Sequence, residues 1–148
     1  MTGTEPDARG RAQGYIDAVN RRDWESAVEF LSPEVLLIDY GRGGTHRGRE
    51  AWVARFKPTV EPFPDLQLEV TSLLVDGELV AQEVVGRGTH TAPLPLPTGE
   101  VVAPTGRSVE IHFAAFGQVD SDQRLAVVHF YANPMTVLAQ LGMPAPAR

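Results

Sequence analysis

The hydrophobic periodicity of this chain changes from mainly helical to extended near Leu66, and that change limits the architectures open to it. Upstream, apolar residues recur at helical spacing. Ala8, Ala12, Tyr15, Ile16 and Val19 form one stripe of a helix predicted over roughly Glu5 to Arg21, with Thr4 and Asp7 at capping positions. Asp23 caps a second helix bearing Trp24, Ala27, Val28 and Leu31 that ends at Pro33, and Gly48 opens a third with Ala51, Trp52 and Phe56 ahead of Pro58. Between them, Val35 to Tyr40 reads as a short strand broken by Gly41, Gly43 and Gly44.

Downstream the period is two. Leu66, Leu68 and Val70 alternate with Gln67, Glu69 and Thr71; Asp76-Gly77 is a hairpin signal; Leu79 to Thr91 returns along the first strand. Arg107 to Val119 and Arg124 to Tyr131 make a second long hairpin around Asp120-Ser121-Asp122. A final helix follows directly: Asn133 is its N-cap, Pro134 its first residue, Leu138 and Leu141 its apolar side, and Gly142 with Pro144 its stop. Helices followed by a meander predict an α+β fold. We expect a cone-shaped curved antiparallel sheet, an α+β barrel, packed by three N-terminal helices plus the C-terminal one. Such a cone encloses an apolar pocket. Residues 1–148 are expected to form a single domain, long enough for a core without staples.

Composition removes several chemistries. The chain has no cysteine, which excludes disulfides, thiolate nucleophiles and cysteine-ligated metal centres and fits a reducing, cytoplasmic setting. The N-terminus lacks a signal-peptide pattern, and no segment approaches the ~20 apolar residues that cross a bilayer, so no membrane partner is expected. A net charge of −6 without a basic cluster argues against nucleic acid. Gly41-Arg42-Gly43-Gly44 lacks the spacing of a phosphate loop, no serine-nucleophile motif is present, and neither a cofactor nor a metal is expected.

The polar residues of the closing strand are the leading site candidates. By the period-two rule Leu125, Val127, His129 and Tyr131 share one face, and Ala126, Val128 and Phe130 the other. If the first face lines the cone, His129, Tyr131 and Asn133 converge at its floor. An imidazole with an ordinary pKa near 6.5 suits proton transfer. Asn133 uses its side-chain oxygen as a cap and keeps its amide N–H groups for a ligand oxygen. Asp39 lies in an apolar strand, where burial would raise its pKa into a useful range, or else it is turn chemistry ahead of Gly41. Asp39 is the alternative base. Tyr15, Trp24 and Trp52 are expected in the pocket wall, with the Tyr15 hydroxyl orienting substrate. His112 and His90 complete the substrate-binding candidates. His112 lies on the strand beside that of His129; His90 precedes a proline-rich stretch, Thr91 to Gly99, whose Leu94 and Leu96 suit a lid or a dimer contact. Glu83, Arg87 and Glu110 read as a solvated cross-strand face.

The segment Leu125 to Gly142 resembles the C-terminal signature of the SnoaL-like polyketide cyclases, within the nuclear transport factor two superfold. Tyr15 to Trp24 is similar to that family's first helix and turn, Gly88-Thr89-His90-Thr91-Ala92 to its glycine-threonine-histidine strand end, and Pro104 to Arg107 to its loop into the next strand. The family's cyclases typically carry an aspartate general acid-base at the strand-to-helix junction; this chain has Asn133. The resemblance implies a cofactor-independent cyclase or isomerase acting by acid-base chemistry on a hydrophobic, oxygenated, polyketide-like metabolite, as a homodimer. Proton movement then falls to His129 or Asp39. Two alternatives stand beside it: epoxide hydrolase-type water addition by Asp39 with Arg87, and a binding protein without catalysis.

Overall fold

The computed structural model describes residues 8–143. The expected helix start at Thr4, Glu5 and Asp7 and the stop at Pro144 lie outside them. Helix α1, Ala8–Asn20, buries Ala8, Ala12, Ile16, Ala18 and Val19, the stripe that its spacing dictates. Helix α2 is a single turn, Trp24–Ala27, capped by the Asp23 carboxylate, which accepts the Ser26 N–H at 3.0 Å. The chain then tightens through Val28–Phe30 into strand β1, Leu31–Asp39. The expected longer second helix ending at Pro33 is thus corrected. Pro33 instead occupies the irregular part of β1 between the Leu31–Leu125 and Leu36–Val127 pairings, where a missing N–H does little harm. Strand β2, Thr45–Arg47, leads into α3, Arg49–Val60, which runs through Pro58 in its last turn.

Strands β3, Gln67–Asp76, and β4, Leu79–Thr89, form the first hairpin, turned by Gly77 at φ 59°. Two short strands, β5 (Leu94–Pro95) and β6 (Val101–Val102), form a separate ribbon. Strands β7, Ser108–Val119, and β8, Leu125–Ala132, form the second long hairpin, and helix α4 spans Pro134–Gln140.

The sheet order is β2-β1-β8-β7-β4-β3. Strand β8 pairs antiparallel with β7 but parallel with β1. The expected α+β fold with helices against a curved sheet holds, but the sheet is mixed and does not close into a barrel. The reason is directional: the β7–β8 hairpin delivers β8 to the open side of β1 running the same way. One register row crosses four strands, Gln82 opposite Ala115, Ala115 opposite Phe130, and Phe130 opposite Asp39. Residues in one row point to one face.

The apolar core falls into two clusters. One contains Leu31, Leu37, Trp52 and Val128, the other Ala18, Val60, Phe63 and Leu66, and Tyr15 packs against both. The space between them is the pocket.

Candidate functional site

A cavity of about 390 Å³ opens between the sheet and the helices, within the size range of small-molecule sites. Its floor is the concave sheet face: Val128, Phe130 and Ala132 of β8, Ile111, Phe113 and Ala115 of β7, Val80 and Gln82 of β4. Tyr15 and Ile16 of α1 form one wall. Trp24 borders it too. Five residues of α3, namely Trp52, Arg55, Phe56, Thr59 and Val60, form the other, at the i, i+3, i+4, i+7, i+8 spacing of one helical face. Leu94, Pro95, Leu96 and Pro97 cover one side of the mouth, and Asn133 with α4 borders another. Leu94 is buried, at 7% exposure, so this proline-rich stretch packs against the cavity.

The polar groups are few and specific. Asp39, 2% exposed at the end of β1, receives the Arg55 Nε–H on Oδ2 at 2.5 Å, and on Oδ1 the backbone N–H groups of Gly41 at 2.9 Å and Arg42 at 3.0 Å. Burial alone would push its carboxyl pKa up, but the bonds from Arg55, Arg42 and Gly41 together hold it below the usual carboxylate range. The expected raised pKa is corrected. Asp39 is an ionised, fully engaged anchor, and it fixes a guanidinium in the cavity wall. Arg55 also donates from Nη1 to Thr59 Oγ1 at 3.1 Å and lies 4.9 Å from the Phe56 ring centre and 5.9 Å from that of Phe130. Arg42 lines the cavity as well; partial burial and the repulsion of Arg55 lower its pKa against the pull of Asp39, while it stays cationic.

Trp52 donates its Nε1–H to the Tyr15 hydroxyl at 2.8 Å, with the rings edge-on. Burial raises the Tyr15 pKa against the effect of that bond, so the phenol remains a proton donor. Its own O–H is free to meet a ligand in the cavity that it lines. Asn133 is the expected cap: its Oδ1 accepts the Met135 N–H at 3.1 Å, and it borders the cavity mouth. Gln82 Oε1 is buried and has no hydrogen-bond partner.

Several expectations fail on which face of a strand points inward. Past the register shift at Leu125, the cavity takes Val128, Phe130 and Ala132 of β8, so His129 and Tyr131 lie on the outer face. There Tyr40 stacks between them, 5.9 Å from His129 and 4.8 Å from Tyr131, and its hydroxyl lies 3.5 Å from His129 Nδ1. His129, Tyr131 and Asn133 therefore do not converge. His112 borders the cavity in position, but its side chain is 67% exposed and bonds Glu110 Oε2 at 3.2 Å, away from the floor. His90 is fully buried outside the cavity wall, its Nδ1 accepting the Thr105 N–H at 3.1 Å. Arg87 pairs with Glu110 at 2.9 Å on the solvated face, as its strand position suggested, and so cannot serve Asp39 in water addition. Tyr15, Trp24, Trp52 and Asn133 do line the cavity. Arg55, Gln82 and Thr59 are the residues that sequence reasoning missed. The signal was available in α3, where Arg55 and Thr59 continue the stripe begun by Trp52 and Phe56.

Among the described residues no three His, Asp or Glu side chains gather as a metal site, and no helix is long and apolar enough to cross a membrane.

The SnoaL-like domain profile matches residues 12–140. IdmH, a candidate polyketide cyclase from Streptomyces antibioticus, superposes with a TM-score of 0.79 at 29% identity over 93% of this chain and 100% of its own. A candidate polyketide cyclase from Xanthomonas campestris pv. campestris gives 0.69 at 27% identity over 90% and 96%. AclR, a candidate hydroxylase from Streptomyces galilaeus, gives 0.77 at 23% identity over 93% and 97%, which speaks to the fold alone. No curated protein matches the chain. The profile spans the helices, the sheet and the cavity between them, and on that match the chain belongs to the SnoaL-like domain family.

Proposed function

We propose that this protein is a cofactor-independent cyclase or isomerase that binds a hydrophobic, oxygenated, polyketide-like ring system in the cavity and stabilises its enolate. The carrying observation is the Arg55 guanidinium, pinned by Asp39 into a wall otherwise made of aromatic and aliphatic side chains. In such surroundings a fixed positive charge acts where an enolate oxygen develops, without waiting for solvent to reorganise. The Tyr15 O–H donates to a substrate carbonyl, and the Asn133 amide holds a second oxygen at the mouth. No unengaged carboxylate or imidazole opens onto the floor among the described residues. The acidity of a carbon between two carbonyls, increased by Arg55, releases the proton to water at the mouth; the enolate carbon then attacks a carbonyl carbon, and the resulting alkoxide is reprotonated.

The test is solvent deuterium exchange at the α-carbon of an aromatic β-keto ester, followed by NMR. Arg55→Lys keeps the charge opposite Asp39 but loses the planar fork, and should slow exchange by about 10²-fold, with Tyr15→Phe costing about tenfold. Ligand binding with exchange no faster than in buffer favours the second reading, a binding protein without catalysis. That reading draws on the lack of a cavity-facing base.

The outer sheet face supports a homodimer. Tyr40, Phe116 and Tyr131 are each about half exposed there and form one aromatic patch, the kind of surface that oligomers cover.

A further inference from the structure

Asp39 holds the Arg55 guanidinium through Nε alone. A planar group bonded at one atom can still swing about that bond, and its free N–H groups would then miss the position where a substrate oxygen needs them. A second hold comes from Thr59, one turn further along α3. Its hydroxyl donates to the Arg55 carbonyl oxygen at 3.3 Å, and the same oxygen accepts Arg55 Nη1–H at 3.1 Å. Helical threonine commonly back-bonds to the carbonyl four residues upstream. Here that bond has a second effect. With its only hydrogen committed to the backbone, Oγ1 meets the guanidinium as an acceptor, which is what a group made only of donors requires.

Asp39 stands on β1 and Thr59 on α3, so the guanidinium is tied to the sheet and to its own helix at once. Two bonds fix a plane where one fixes a point. The rings of Phe56 and Phe130, centred 4.9 and 5.9 Å from Cζ, restrict it further. Nε–H and one Nη1–H are thus engaged, while Nη2 bonds nothing among the described residues. Nor is Nη2 sealed off: the buried polar atoms without a partner are Arg11 Nε, Gln82 Oε1 and His90 Nε2. It is the nitrogen left wholly to a ligand of the cavity that Arg55 lines.

We infer that Thr59 is a positioning residue, which sets the plane of the Arg55 guanidinium so that Nη2 is presented to the developing enolate oxygen. The inference rests on the enolate reading of the cavity and adds the group that aims its donor. Thr59 acts through Arg55, and a donor aimed beforehand counts most where charge develops in the transition state. Its loss should therefore reduce kcat and leave KM nearly unchanged.

The test uses the full chain and ethyl benzoylacetate, with α-carbon deuterium exchange followed by NMR over a range of ester concentrations. Thr59→Val keeps the side-chain shape and removes the hydroxyl; it should lower kcat about three- to tenfold with KM within about twofold. Thr59→Ser restores the hydroxyl and should recover most of the rate. A second readout needs no substrate: rotation about the Arg55 Cζ–Nη1 bond, measured by carbon-detected nitrogen exchange NMR on arginine-labelled protein and assigned by loss of the signal in Arg55→Lys. That rotation should become several-fold faster in Thr59→Val and return toward the parent value in Thr59→Ser. Thermal unfolding of both variants should stay close to the parent, which separates aiming from folding. If Thr59→Val matches the parent in kcat and in Nη1 rotation while Arg55→Lys is slow, the inference falls and the enolate reading stands. Equal slowing in Thr59→Val and Thr59→Ser, or a raised KM with kcat intact, also overturns it. If Arg55→Lys exchanges as fast as the parent, the enolate reading falls and the role of Thr59 falls with it.

Discussion

Replacing Asp39 with Asn separates the two jobs of its carboxylate, because each oxygen has its own partners. Oδ1 takes the N–H groups of Gly41 at 2.9 Å and Arg42 at 3.0 Å; Oδ2 takes Arg55 Nε–H at 2.5 Å. Asparagine has one acceptor oxygen. If it serves the two backbone donors, its NH2 faces the Arg55 N–H and leaves a guanidinium that is only 9% exposed without a counter-charge. If it turns over, two backbone donors lose their acceptor instead. Removing one partner of a buried ion pair costs about 3–5 kcal/mol, and for a chain of this size that lowers Tm by roughly 10–20 °C. Adding Arg55→Met removes the stranded charge and leaves only an amide N–H to satisfy. The double variant Asp39→Asn/Arg55→Met should therefore recover about half or more of the loss while abolishing turnover. Thermal and urea unfolding followed by circular dichroism measure both. A single variant that loses less than about 1 kcal/mol, or a double variant no more stable than the single, would refute the view of Asp39 as the anchor of Arg55.

Three further outcomes follow from the same geometry. Asp39, Asp65 and Asp120 all have depressed pKa values in the folded chain; their stabilisation is present above the unfolded value near 3.9 and is lost as pH falls through the lower folded values. Urea midpoints should thus stay level from about pH 8 to 5 and drop below about pH 4, less steeply in Asp39→Asn. His129→Ala should leave deuterium exchange within about threefold of the parent, since the ring lies on the far side of the sheet; a large loss would restore it to the mechanism. Phe116→Glu combined with Tyr131→Lys should shift sedimentation from dimer toward monomer without altering unfolding of the subunit, and an unchanged sedimentation coefficient would remove the proposed interface.

Much of the fold was legible because local chemistry and global layout agree. The Asn133 cap, the Asp76-Gly77 turn and the alternation through β3, β4 and β7 all appear as their residues require. The inward face of β8 was not legible. Its two faces, Leu125, Val127, His129 and Tyr131 against Ala126, Val128, Phe130 and Ala132, are both largely apolar, and a one-residue choice moves every side chain to the opposite side. The aromatic stack with Tyr40 makes the outer face hydrophobic as well. Arg55 escaped notice for a related reason. Its meaning comes from Asp39, on a different element 16 residues earlier, and a surface arginine on an amphipathic helix reads the same way in sequence. The parallel β1–β8 pairing, too, is set by tertiary docking rather than by any turn.

That pairing places β8, the most C-terminal of the described strands, in the middle of the sheet, between β1 and β7. The N-terminal layer of α1, β1 and α3 therefore cannot complete its own hydrogen-bond ladder during translation; β1 waits for a partner about 90 residues downstream. Closing so long a loop raises contact order and slows folding toward milliseconds to seconds. In the interval the unpaired edge of β1 is exposed to other chains, which makes this strand the point at which a nascent chain misassembles and β8 the piece whose arrival ends the risk.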